Sequence, residues 1–354
     1  MSRSLLSIPP EILVHILAFL PVQSLLRFSQ TCQFSHSIAT SSLHTLNLGI
    51  HPTRVAGIIS RLGSTQYPRP RDSRSAFALL NPSHSASHRQ PRQHHEIDYA
   101  EDEGLLENPY KVSVLIPDAQ EFNYQTLQSF HNALTKSVLI RHGGTLRNLE
   151  LSLWTLTVPI AKALASLSAV RTLSIRIQDF PNVRAAVPRR WIAQQRVEER
   201  EAWDVLADNA AFAPRLEALR IEGGEMDTQQ LSRLLRESRW CRELWLCSCN
   251  RVEEEVWSFL GTESGREGRA GLRLQILGIM HCGGVLGEEA LNVIGTMKEL
   301  QFLSLQGCHG MVHSDDIETR NQDEWKIPEC IPPLPRIEPA DGSTYIEVDP
   351  AYMD

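Results

Sequence analysis

The chain has 354 residues, 42% of them hydrophobic, enough for a real core over part of its length once the Pro-rich and charged stretches are set aside. Thirty-five Lys and Arg stand against 42 Asp and Glu, a net charge of -7, which gives no sign of the broad basic surface that non-specific nucleic-acid binding requires. The apolar start is interrupted by Glu11, His15 and two prolines, with no small-residue cleavage site after it, so it reads as neither a signal peptide nor a membrane span. Seven cysteines, an odd number set mostly among apolar residues, and the lack of an Asn-x-Ser/Thr acceptor free of Pro point to a reducing compartment, cytoplasmic or nuclear.

Residues 8–20 open on Pro9-Pro10, with Pro10 suited to a first helical position, and carry Ile12, Leu13, Ile16, Leu17 and Leu20 on one broad face of about 140°. Pro21 ends that helix. A second helical pattern runs from Ser24 to Ala39, with Leu25, Phe28, Cys32 and His36 at i, i+3, i+4 spacing. Two or three such short helices cannot bury both faces alone.

Residues 64–109 change character. Residues 64–95 hold six serines, five arginines, four histidines and four prolines, and residues 96–107 hold six acidic residues without a Lys or Arg. That segregation predicts a disordered inserted loop, whose serines, if phosphorylated, could pair with neighbouring arginines.

From residue 145 a repeat emerges: Leu146/Leu149/Leu151, Val170/Leu173/Ile175, Leu216/Leu219/Ile221, Cys241/Leu244/Leu246/Cys249, Leu274/Leu277/Ile279/Cys282 and Leu300/Leu303/Leu305/Cys308. The second position recurs at intervals of 24, 46, 25, 33 and 26 residues, so one copy is degenerate or replaced at the 46, and the insert Gly261 to Gly271 lengthens the 33. Helix-like stretches alternate with these strands at 160–167, 189–206, 228–237, 253–260 and 288–297. Two further strand candidates lie at 43–48 and 112–116, and beyond residue 312 the periodicity gives way to a Pro-rich tail.

The order Ile8-Pro9-x-Glu11-Ile12-Leu13-x-x-Ile16-Leu17-x-x-Leu20-Pro21-x-x-x-Leu25-Leu26-Arg27-Phe28-x-x-x-Cys32 resembles the F-box, a unit of about a tenth of this chain. Ser24 stands where that family often has an acidic residue, and Ser35 where it has an aromatic, with Phe34 one place early. The later repeats look like the cysteine-containing class of leucine-rich repeats often joined to F-boxes, in a degenerate form common in fungal proteins of this type. The resemblance implies an α/β chain: a short all-α F-box at 4–42, the disordered loop at 64–109, a leucine-rich-repeat-like solenoid at 110–312 with a first strand candidate at 43–48, and an irregular tail at 313–354.

It also implies a function. F-boxes dock on a Skp-type adaptor, which bridges to a cullin, so the chain reads as a substrate adaptor of an SCF-type cullin–RING ubiquitin ligase; the alternative is a repeat scaffold acting in a ligase-independent complex. Carried over by position, the adaptor contacts are Ile8, Pro9, Ile12, Leu13, Ile16, Leu20, Leu25 and Leu26. The partners expected are that adaptor, the cullin through it, and an unidentified protein target, with no nucleic acid and no membrane.

Catalytic motifs are missing: no Gly-x-Ser-x-Gly, phosphate-binding Gly loop, His-Glu-x-x-His or Cys-x-x-Cys occurs, so no enzyme and no cofactor are expected. Cys247, Cys249, Cys282 and Cys308 with His281 and His309 could suggest a metal site, but three of these cysteines fall where the repeat needs a small buried group. His84, His88, His94 and His95 are expected to be unordered. Arg189-Arg190-Trp191 precedes a mixed-charge stretch expected to form a solvated helix face.

In Leu-x-x-Leu-x-Leu the leucines point inward, so by strand alternation the intervening residues face the concave surface. At the C-terminal end these include Trp245, Ile276, Met280 and Phe302, edged by Arg220, a composition suited to binding a target. The competing expectation is that the tail covers this patch with Ile331, Leu334, Ile337, Tyr345 and Ile346.

Overall fold

The structure is a computed structural model, and it describes residues 8–52, 75–78, 109–116, 119–178, 189–261, 273–282, 285–310 and 314–333. Three short helices come first: α1 (Pro10–Leu17), α2 (Val22–Ser29) and α3 (Gln33–Ser42). Pro10 opens α1 where a missing N–H costs nothing, and the Cys32 thiol caps α3 by accepting the Ser35 amide at 3.4 Å. Leu13, Leu17, Val22, Leu25 and Ile38 turn inward and join the same hydrophobic core as Leu46, Leu48 and Leu149. The Val22 amide donates to the Pro109 carbonyl at 2.9 Å, which ties α2 to the approach to β2.

The strands are β1 (Thr45–Pro52), β2 (Lys111–Ile116), β3 (Asn148–Leu153), β4 (Thr172–Ile177), β5 (Ala218–Glu222), β6 (Glu243–Cys247), β7 (Ile276–Met280), β8 (Val285–Leu286), β9 (Phe302–Ser304), β10 (His309–Gly310) and β11 (Glu329–Ile331). Nine of them form one parallel sheet in the order β11-β9-β7-β6-β5-β4-β3-β1-β2, and β8 pairs with β10 separately. Leu46, Leu149, Leu173, Leu219, Leu244, Leu277, Leu303 and Cys330 sit in one register row across this sheet. The repeat read from the sequence is therefore a register: each leucine meets its equivalent on the next strand.

Helices α4 (Tyr124–His142), α5 (Val158–Ala165), α6 (Arg189–Asn209), α7 (Thr228–Arg236), α8 (Glu255–Gly261), α9 (Glu288–Thr296) and α10 (Ser314–Arg320) connect the strands. From α4 to α9 each packs on the next, making a second layer over the leucine face. The capping box at α7, in which Asp227 accepts the Gln230 amide and Gln230 accepts the Asp227 amide, fixes where that helix starts. At the strand ends, Cys249 donates to the Ile221 carbonyl at 3.6 Å, Cys282 to that of Leu246 at 3.5 Å and Cys308 to that of Ile279 at 3.0 Å. Each thiol thus ties the end of its strand to the strand before it in the sheet.

Several expectations are corrected. Across the 46-residue interval β4 pairs directly with β5, and the 21-residue α6 stands in place of the expected copy, so among the described residues that copy is replaced rather than degenerate. The mixed-charge face of α6 is not wholly solvated: Gln195 and Glu199 are buried. Glu199 accepts from the Thr155 hydroxyl at 3.0 Å, the Trp203 indole at 3.4 Å and the Glu225 amide at 2.9 Å, and burial raises its carboxyl above the usual range. β2 lies outside β1, at the sheet edge, so the chain passes β1 and returns through α4 to reach β3. The tail region contributes α10 and the edge strand β11, both unforeseen. Within the loop expected to be disordered, Ser75, Ala76 and Phe77 are packed against the sheet, and most of its other residues lie outside the described ones.

Candidate functional site

Two faces carry the expected functional residues. On the first, α1 presents two apolar stripes one residue apart. Leu13 and Leu17 fill the chain's own core, while Ile12 and Ile16, one helical turn apart, stay exposed. A helix held only within its own fold needs one apolar stripe, and here a second one stays at the surface. Of the residues read as adaptor contacts, Pro9, Ile12, Ile16 and Leu26 are exposed and Ile8 and Leu20 are half-buried. Leu13 and Leu25, read with them, are buried and belong to the hydrophobic core. Phe19, 81% exposed, and Phe34 are further exposed aromatics on this unit that the sequence reading did not include; a wheel drawn over α1 alone stops short of Phe19 in the following turn.

The second face is the sheet surface opposite the helices, and the register orders it in rows. One row runs Asn47, Glu150, Ser174, Arg220, Trp245, Gly278, Ser304, Ile331. The next runs Gly49, Ser152, Arg176, Glu222, Cys247, Met280. The N-terminal half is polar and internally paired: Asn47 donates to Glu150 at 3.0 Å, Arg176 pairs with Glu222 at 2.7 Å, and Arg220 reaches Glu222 at 3.6 Å. The C-terminal half is apolar.

There the predicted patch assembles as read. Trp245, Ile276, Met280 and Phe302 form one cluster with Ala218 and Cys247, and the Trp245 and Phe302 ring centroids lie 5.5 Å apart. Arg220 borders it as the strand partner of Trp245. The patch is not open, however. Phe77 is buried within it, and Ala76 and Ile331 pack at its side. Glu243 anchors the cover, its carboxylate accepting the Ser75 hydroxyl at 2.6 Å, the Ala76 amide at 2.7 Å and the Trp245 indole at 2.6 Å. Burial raises the Glu243 carboxyl, and these donors with Arg220 oppose that shift. Coverage by the tail was the competing expectation; of the tail residues named for it only Ile331 falls among the described ones, and among the described residues Ala76 and Phe77 of the loop also cover the patch. The signal for the loop's part was a lone Phe77 between small residues in a tract otherwise poor in aromatics, too little to separate from the surrounding polar sequence.

Gly278 is the floor under Trp245. A Cβ there would stand 2.2 Å from the indole ring, so only glycine lets the ring lie flat across β7. The cysteine set behaves as a structural row: burial raises Cys241, Cys247 and Cys308 to about 12, keeping them neutral thiols. Among the described residues, no three His, Cys, Asp or Glu side chains gather as metal ligands. His84, His88, His94 and His95 lie outside the described residues, and Arg190 and Trp191 are exposed on α6. Among the described residues no helix is long and apolar enough to cross a membrane.

No curated protein matches the chain. Residues 5–45 match the F-box-like family, so the three-helix N-terminal unit with its uncovered apolar stripe is an F-box-like domain.

Proposed function

We propose that the chain is the substrate-receptor subunit of an SCF-type cullin–RING ubiquitin ligase. The F-box-like domain holds a Skp-type adaptor and through it the cullin, and the sheet with its helices, a leucine-rich-repeat-like solenoid in this reading, holds a protein target. The supporting observation is the second apolar stripe, Ile12 and Ile16 with Phe19, left in solvent on a matched F-box-like domain whose other stripe is seated. The in-phase parallel register and the cysteine stitches support the solenoid reading. Such a subunit makes and breaks no bond; it raises the effective concentration of its target beside the ubiquitin-charged enzyme.

Co-precipitation of the purified chain with a Skp-type adaptor tests this. The wild type should bind, and Ile12→Asp with Ile16→Asp should weaken binding at least tenfold while the melting temperature stays unchanged, because both side chains are already in water. A wild-type chain that does not bind the adaptor would refute the ligase reading and leave the ligase-independent scaffold.

A further inference from the structure

The Glu243–Trp245 pocket is built entirely by the sheet. Ala218, Trp245, Cys247, Ile276, Met280 and Phe302 are placed by strand register, and they form a cluster separate from the main core on the opposite face. The occupant is different in kind: it is one short turn, Ser75 followed by the single 3-10 turn Ala76–Ala78, far in sequence from every pocket residue. The Ser75 hydroxyl donates to Glu243 and accepts the Phe77 amide at 3.2 Å, so it caps the turn and anchors it at once. Phe77 then enters the apolar cluster. Polar anchor, small spacer and buried aromatic are the parts of a short-motif ligand in its groove. The Ser304 hydroxyl, buried on the same face beside Gly278, has no hydrogen-bond partner among the described residues, which leaves a polar group on this face unused by the present occupant.

We propose that this pocket is a peptide-recognition site for a turn of hydroxyl residue, small residue and aromatic, and that Ser75-Ala76-Phe77 is the chain's own copy of that ligand, which a target must displace. The proposal rests on the receptor reading above and specifies the class of target segment. Selectivity follows from Glu243. A buried carboxylate accepts a hydroxyl and an amide N–H but repels a phosphoserine, so the unmodified motif binds and its phosphorylated form does not. An intramolecular copy competes at high effective concentration, so the resting chain binds external peptide weakly in proportion to the fraction of time its own turn is seated.

The test uses the full chain and a fluorescein-labelled peptide of residues 73–80, Ser-Arg-Ser-Ala-Phe-Ala-Leu-Leu, followed by fluorescence anisotropy. Phe77→Ala in the protein should weaken the internal copy and tighten peptide binding at least tenfold relative to wild type. The same peptide with phosphoserine in place of Ser75, or Ala in place of Phe77, should bind the variant at least tenfold more weakly. A folded Phe77→Ala chain that binds the peptide no better than wild type, or binds the altered peptides equally well, would overturn the proposal. So would loss of the cooperative melt on Phe77→Ala, because the turn would then be part of the core. No adaptor is present in this assay, so a chain that binds peptide but fails the co-precipitation above would lose the ligase reading and keep this one.

Discussion

His131 shows what one buried imidazole does to the pH dependence of this fold. It sits fully buried on α4 with its ring centroid 5.3 Å from that of Trp154, and burial lowers it from 6.5 to about 4, with His51 contributing a smaller push in the same direction. The folded chain therefore holds the neutral ring, and between those values the unfolded chain binds the extra proton. Stability from this group is full above about pH 6.5, declines as the pH falls and levels off near pH 4, a total of about 3 kcal/mol. Urea unfolding at pH 7.5 and pH 5 should show that decline, and His131→Phe, which keeps a ring against Trp154, should flatten much of it. His51, lowered to about 4 by burial and the nearby Lys111 and Arg176, and His142, lowered by burial, contribute to the remaining slope in the same direction. An unchanged slope in His131→Phe would contradict the assignment.

Gly278 gives a second residue-scale prediction. Adding the 2.2 Å clash of an alanine Cβ must tilt Trp245 off β7 and away from its bond to Glu243, at a cost of about 1–3 kcal/mol. The urea midpoint should drop accordingly, and the near-ultraviolet dichroism of the tryptophans should change with it. A midpoint within error of wild type would show that the ring has room to move.

At the scale of elements, legibility followed the balance between local pattern and tertiary demand. The strands were readable because each repeats the same inward leucines, and the register then aligned them without a slip from β3 to β9. α4 escaped notice because its buried stripe is Leu127, His131, Thr135 and Leu139, half of it polar, so its apolar period is faint. β11 is three residues between Pro328 and Pro332, and an edge strand that short depends on β9 for its existence. Of the candidate sites, the apolar patch was legible from alternation alone. Its cover was not, because Ser75 and Phe77 meet Glu243 and the Trp245 cluster across about half the chain, and single-residue contacts at that range leave no periodicity. In α1 the broad apolar face was visible but not its division: only the packing of Leu13 and Leu17 shows which half is spent inside the chain.

At the scale of the whole molecule, the continuity of the core makes a claim about folding. The F-box-like helices contribute Leu13, Leu17, Val22, Leu25 and Ile38 to the same cluster that runs through every strand row to Ile327. A parallel sheet in which each strand and covering helix meets mainly its neighbours is held by those neighbour contacts, so a weak junction would let the ends melt separately. Here the junction is not weak, since α2 is also tied to Pro109 beside β2, and β2 pairs with β1 along six residue positions. Heating should therefore give one calorimetric transition, with calorimetric and van't Hoff enthalpies in agreement. Leu13→Asp buries a carboxylate in this shared core and should cost about 3 kcal/mol or more. For a chain of this size that lowers the single transition by roughly 5–10 °C. The paired substitution Ile12→Asp and Ile16→Asp, one residue away on the exposed stripe, should leave it in place. If Leu13→Asp instead splits off a small early transition and leaves the main one unmoved, the F-box-like helices fold as a separate unit and the shared core does not couple them to the sheet.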